Sequence, residues 1–233
     1  MRLGSSVVEQ RKRFSNFVIG KLIVEELKME KPKDSTESWL KFLHPETLKM
    51  NLILSSCFLA GYECLKDAIV GRLRSFYVNG FDQNGLKLSP EYNTEVLALD
   101  PKKNALKASI TWLLNNQIVD VPDCEAIERI NLHRNELAHD LPQFLATAER
   151  EIQIHLFEEI MRLVTKIERW WIINFELAIN PGHDGREVDE DKIISGGMLF
   201  LQLLLGIATG VNSTDLYEKF KEAIEAKRKK TND

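Results

Sequence analysis

Apolar positions recur every three to four residues over most of this chain, the pattern of helices that bury one face. Residues 5–31 carry Phe14, Phe17, Val18, Leu22 and Leu27 at that spacing, with Ser5 or Ser6 as cap and Pro32 as stop. A polar connector follows over 32–38, and residues 39–43 predict one helical turn. His44-Pro45 reads as a helix entry, because a proline at the first helical position sacrifices no hydrogen bond. From there to about residue 78 the pattern predicts a long helix that is apolar on more than one side, through Leu48, Leu52, Leu54, Phe58, Leu59, Tyr62, Leu65, Ile69 and Leu73. Such a helix is central to a bundle or lies in a subunit interface. Glu63, Lys66 and Asp67 interrupt it with charge, either as a solvated strip or as one wall of a site.

Gly80, Asn84-Gly85 and Pro90 mark residues 79–93 as a loop, long enough for a functional excursion. Residues 95–99 are compatible with a short extended piece or a half-turn. Asp100-Pro101 predicts a helix start, with the helix running to about 117, and Pro122-Asp123 opens another, with Ile127, Ile130 and Leu137 inward, that ends near 140–142. Residues 146–179 predict the second long helix, through Ile152, Leu156, Ile160, Leu163, Ile167 and Trp171, ended by Asn180-Pro181-Gly182. Residues 193–208 predict a buried helix in which Gly196-Gly197 permits close backbone approach. A last amphipathic helix, capped by Asn212 or Ser213, frays into Lys227-Arg228-Lys229-Lys230. No strand pattern emerges. The expectation is an all-α helical bundle with two long antiparallel helices: an N-terminal helix and connector over 1–44, the bundle over 45–180, and a C-terminal helical extension over 181–233.

Composition narrows the function. Hydrophobic residues make up 44% and charged residues 28%, which suits a globular chain. The net charge is −4, so any phosphate binding has to come from a local cluster, such as one assembled across a dimer. Cys57, Cys64 and Cys124 form no CxxC pair and read as free thiols in a reducing compartment. No metal-ligand spacing and no glycine-rich phosphate loop are present, so no cofactor is expected. The apolar run 198–208 is about half a bilayer span and residues 1–20 do not read as a secretory leader, so a cytoplasmic, non-membrane protein is expected.

Candidate chemistry is concentrated in Asn131-Leu-His-Arg-Asn-Glu-Leu-Ala-His-Asp-Leu-Pro142, late in a predicted helix. Arg134 can clamp a phosphate and His139 can move a proton near neutral pH. Their spacing alone is a weak signal, since Arg150 and His155 repeat it. That second pair is expected inside the long helix, where five residues subtend about 140° and turn the side chains to different faces. Asn135, which can orient the phosphate or the histidine, sets the first pair apart. So does a position in a helix end that can relax the offset.

With these residues in that setting, RNELAH at 134–139 resembles the Arg-polar-x(3–5)-His motif of HEPN-domain proteins. The resemblance spans roughly residues 45–179. It implies a metal-independent endoribonuclease in a homodimer whose two motifs face one cleft, a toxin or phage-defence component acting on RNA, with an antitoxin or regulatory protein as a further partner. Arg134 would hold the scissile phosphate, His139 would transfer a proton and Asn135 would support their geometry. Leu141 stands where one branch of the family has a tyrosine modified by a nucleotidyltransferase, so that form of regulation is not implied. The alternatives are a non-catalytic HEPN-like RNA- or nucleotide-binding or scaffold protein, and a helix-end pair that satisfies carbonyls, Glu136 or Asp140. His133 adjoins the motif and is not expected to take part; His44 and His183 are expected to be exposed beside Pro and Gly.

Overall fold

The computed structural model describes residues 35–83, 85–179, 189–190, 193–208, 210, 218 and 221. The N-terminal helix expected over 5–31, His183, the last amphipathic helix and the basic run 227–230 lie outside the described residues, apart from two isolated positions of that last helix.

The first described helix, α1 (Ser35–Leu43), starts earlier than the sequence suggested, with Glu37 in its first turn. Helix α2 (Pro45–Lys66) opens as expected: His44 is its N-cap, its Nδ1 accepting from the Thr47 N–H at 3.2 Å, with proline in the first turn. It passes through a widened π-turn (Asp67–Gly71) into the short α3 (Arg72–Phe76). The chain then forms an antiparallel hairpin, β1 (Val78–Asp82) with β2 (Gly85–Leu88), pairing Asp82 with Gly85 and Phe81 with Leu86. The expected loop is thus partly a hairpin; apart from it the protein is mostly helical, as the sequence indicated. Gly85 has φ of +110°, a conformation only glycine adopts freely, which explains the turn signal. Alternation over four or five mostly exposed residues is a weak pattern, so the sequence does not mark these strands.

Residues 92–99 resolve into a π-turn (Tyr92–Val96) and a 3-10 turn (Leu97–Leu99). Asp100 caps a turn and not the helix: its Oδ2 accepts from the Lys102 and Asn104 N–H groups, both at 2.9 Å. Helix α4 (Ala105–Asn115) starts after Asn104, whose Oδ1 accepts from the Lys107 N–H.

Helix α5 (Val121–His139) is closed at its start by a capping box between Asp120 and Asp123. Asp123 is buried, and Arg162 and Lys166 hydrogen-bond its carboxylate at 2.7 and 2.5 Å. Burial alone would raise its pKa, but these two cations and the Asp120 N–H outweigh it and hold the carboxyl below its ordinary value. Its contribution to stability is therefore present above the ordinary aspartate range and is lost as pH falls below it. Asp123→Ala is expected to lower unfolding stability by about 2 kcal/mol, read from the urea midpoint at neutral pH, because half of the capping box and a buried acceptor vanish together.

After the short α6 (Leu141–Ala146), the chain stays non-helical until α7 (Ile154–Trp171), which ends in another π-turn (Ile172–Glu176). The second long helix therefore starts some eight residues later than its apolar pattern indicated. Tertiary bonds take the backbone groups that a helix would have paired. Lys41 Nζ donates to the carbonyls of Thr147 and Arg150 at 2.8 Å each, Ser38 Oγ accepts from the Ala148 N–H, and His133 Nε2 accepts from the Gln153 N–H.

The two long helices, α2 with its extension and α7, pack together without being antiparallel. Gly61 lies against Phe157 and Ile160, while Arg72 faces Glu168 and Glu176, so residue numbers rise together along both. Antiparallel order belongs to α5: its Asp123 meets Arg162 and Lys166, and its His133 meets Gln153. That helix returns the chain between the two long ones, a step that periodicity alone does not encode.

Helix α8 (Gly196–Ala208) covers α2 and α7. It buries Leu201 and Leu205 but leaves Leu199, Phe200 and Ile207 exposed, so it is half-covered and not buried as expected. With α1, α5, α6, α7 and α8 against it, α2 is central, which accounts for its apolar residues on several sides. Among the described residues no helix is long and apolar enough to cross a membrane.

Candidate functional site

Helix α5 remains regular through His139, and Asp140 is its C-cap. The helix end therefore does not relax before the motif is complete, and Arg134 and His139 project about 140° apart. Arg134 points toward α2. Its guanidinium carbon sits 5.0 Å over the ring of Tyr62, whose hydroxyl donates to Asn131 Oδ1 at 2.8 Å and so fixes the platform. Arg134 Nη1 donates to Asn135 Oδ1 at 3.2 Å and Nη2 to Glu63 Oε1 at 3.4 Å, while Nε is buried without a partner among the described residues. A stacked guanidinium with two defined hydrogen bonds and a third of its side chain exposed is an ordered cation on an accessible face.

Arg134 and Asn135 are thus brought together. His139 is exposed at the last turn of the helix and, among the described residues, hydrogen-bonds to neither. Within one chain the pair does not converge.

His133, one residue before Arg134, is buried edge-on between Phe58 and Phe144 at 4.9 and 5.6 Å. Because Nε2 accepts from the Gln153 N–H at 3.1 Å, the proton of the neutral ring sits on Nδ1, which has no partner among the described residues. Burial pushes its pKa below the ordinary value. The unfolded chain then binds the proton more readily than the folded one, so this contribution is full above about pH 6.5 and declines as pH falls through that value. A melting-temperature profile between pH 7.5 and 5 is expected to fall on the acid side, and His133→Phe to flatten that fall.

Sequence reasoning missed Tyr62 and Asn131 as supports of Arg134, and Glu63 as its counter-ion. Charged positions on the apolar helix were the one available signal. The repeated pair Arg150 and His155 also changes character: Arg150 lies in the link before α7, and only His155 lies on the helix. Arg150 reaches Glu136 at 3.6 Å and lies over the Phe144 ring, so a second guanidinium approaches the last turns of α5.

Glu63 also faces an open cleft of 520 Å³ lined by Ala60, Cys64, Asp67, Arg72, Glu168, Gly197 and Phe200. Among the described residues no group of three or more His, Cys, Asp and Glu is placed to hold a metal ion, and all three cysteines are free. Compared with protein-family models, with curated proteins and with solved structures, the chain matches none.

Proposed function

We propose that the chain is a metal-independent endoribonuclease of the HEPN type that acts as a homodimer in a toxin or phage-defence role. The supporting observation is Arg134: a guanidinium stacked on Tyr62, hydrogen-bonded to the adjacent Asn135 and still partly exposed. In this reading it binds a non-bridging oxygen of the scissile phosphate and stabilises the charge that develops there. The ribose 2′-hydroxyl attacks phosphorus, the bond to the 5′-oxygen breaks, and the products are a 2′,3′-cyclic phosphate and a 5′-hydroxyl. His139 carries a proton to or from the reacting oxygens. Since Arg134 and His139 diverge on one helix, the composite site takes its arginine from one subunit and its histidine from the other.

One contact favours a second reading, a non-catalytic HEPN-like binding or scaffold protein. Glu63 already pairs with Arg134, and a phosphate has to displace it. Incubation of purified protein with single-stranded RNA in excess chelator separates the two. Cyclic-phosphate products that depend on Arg134 and His139 support the enzyme; RNA binding or dimerisation without product supports the scaffold.

A further inference from the structure

The cleft beside Glu63 has a buried carboxylate in its lining. Its floor is Glu168, on the inner side of α7, a carboxylate 5% exposed. Oε1 of Glu168 lies 3.8 Å from Arg72 Nη2, beyond hydrogen-bond distance, and Oε2 is buried with no hydrogen-bond partner among the described residues. Arg72 is drawn away by Glu176, to which its Nη1 donates at 2.7 Å. A carboxylate taken out of water without a full set of donors is costly, and such a group is a strong acceptor for any cation that reaches it.

The surroundings reinforce that deficit. Among the described residues, Glu63, Asp67 and Glu168 line the cleft against one cation, Arg72. Glu63 is offset by Lys66 and Arg134 at 3.3 and 3.4 Å, whereas Asp67 has no ion pair among the described residues. The Cys64 thiol in the same wall is pushed up by burial and then by Glu168, Asp67 and Glu63, so the three carboxylates act on one space.

The backbone makes room for this arrangement. The π-turn at Asp67–Gly71 places Asp67 over Gly71, where any Cβ would collide with its carboxylate. A Cβ on Gly197 would lie 3.0 Å from both oxygens of Glu168. Inserted π-turns in otherwise regular helices often mark functional positions.

We propose that this cleft is a binding site for an aliphatic ammonium group, held between Glu168 Oε2 and Asp67, with its alkyl chain against Ala60 and Phe200. An ammonium suits it better than a guanidinium. Its three donors can reach two separate carboxylates, whereas the planar fork needs both oxygens of one, and Arg72 already lies beside Glu168 Oε1. The cleft volume is within the range of small-ligand sites.

The test titrates the intact protein with 1,4-diaminobutane and with n-butylamine at constant ionic strength, by calorimetry or ligand-observed NMR, against 1-butanol as the neutral analogue. Saturable binding of the amines and none of the alcohol is expected. Glu168→Gln is expected to weaken it by about tenfold or more, and Asp67→Asn by a smaller factor of about three. Circular dichroism reports whether each variant is folded. If Glu168→Gln fails to fold, Asp67→Asn, at an exposed position, decides. Unsaturable amine binding, equal binding of 1-butanol, or full amine affinity in the folded variants overturns the proposal. None of these readouts involves RNA, so the site stands or falls separately from the ribonuclease reading.

Discussion

Arg134→Ala is expected to lower the rate of RNA cleavage by roughly a hundredfold to a thousandfold, the loss typical when a charge-stabilising donor is removed from a transition state. His139→Ala is expected to lower it by a similar or larger factor, in the range of lost general acid–base catalysis. Neither loss would come from unfolding. Arg134 contributes a cation–π contact with Tyr62 and two long hydrogen bonds, about 1 kcal/mol together at a partly exposed site, and His139 is exposed at a helix end. Arg134→Lys is expected to rescue little, since an ammonium replaces neither the planar stack on Tyr62 nor two-pronged phosphate contact. The divergence of the two side chains on α5 adds a sharper test. Mixing the Arg134→Ala and His139→Ala proteins, with subunit exchange, gives heterodimers with one intact composite site, so activity is expected to return to about a quarter of the unmutated level. Equal cleavage by the parent and both single variants would mean that the observed nuclease is not this site. A mixture as inactive as its components would place arginine and histidine in the same chain's site.

How much of this was legible in the residues differs from element to element. Strong local signals were reliable: His44-Pro45 starts α2, and Pro122-Asp123 lies in the first turn of α5. Failures came where a tertiary contact took over a local preference. The link at 147–153 has no proline or glycine and an apolar pattern that continues into α7, yet Lys41, Ser38 and His133 capture its backbone groups from elsewhere in the chain. Asp100 is a good cap, but it closes a turn four residues before Asn104 caps the helix. The direction of the long helices was lost for a related reason. Periodicity says that two helices each bury a face, and it carries no information about whether α5, between them in sequence, packs against them as the antiparallel member. At the candidate site, Arg134, Asn135 and His139 were visible as residue types, while the groups that hold Arg134 were not. Tyr62, Glu63 and Asn131 become its surroundings only after α2 and α5 pack. Glu168 was hidden more completely, because one acidic residue on a strongly amphipathic helix looks like surface until its burial is known.

Gly61→Val is expected to damage the bundle severely, lowering unfolding stability by about 3 kcal/mol in urea or thermal denaturation. Two effects compete at this position. Glycine inside a helix costs about 1 kcal/mol relative to alanine, so propensity alone favours any side chain. Packing opposes it: a Cβ at Gly61 would lie 2.9 Å from Phe157 Cε2, 3.3 Å from Cδ2 and 3.4 Å from Ile160 Cγ2. Phe157 is 5% exposed and Ile160 fully buried, so neither can swing into solvent to make way. For alanine the two effects nearly cancel, and a loss of about 1 kcal/mol or less is expected. Valine adds two methyl groups to the clash and has little of alanine's propensity advantage, so packing wins. The helices can then only separate, which loosens α2 against α7 along the line from Gly61 to the Glu168 cleft. A double-mutant cycle isolates the cause. Phe157→Ala alone is expected to cost about 3 kcal/mol as a cavity, and the pair with Gly61→Val less than the sum of the two, because the valine fills part of the space that the ring vacates. Strict additivity would place the damage in the backbone of α2 and not in its contact with α7.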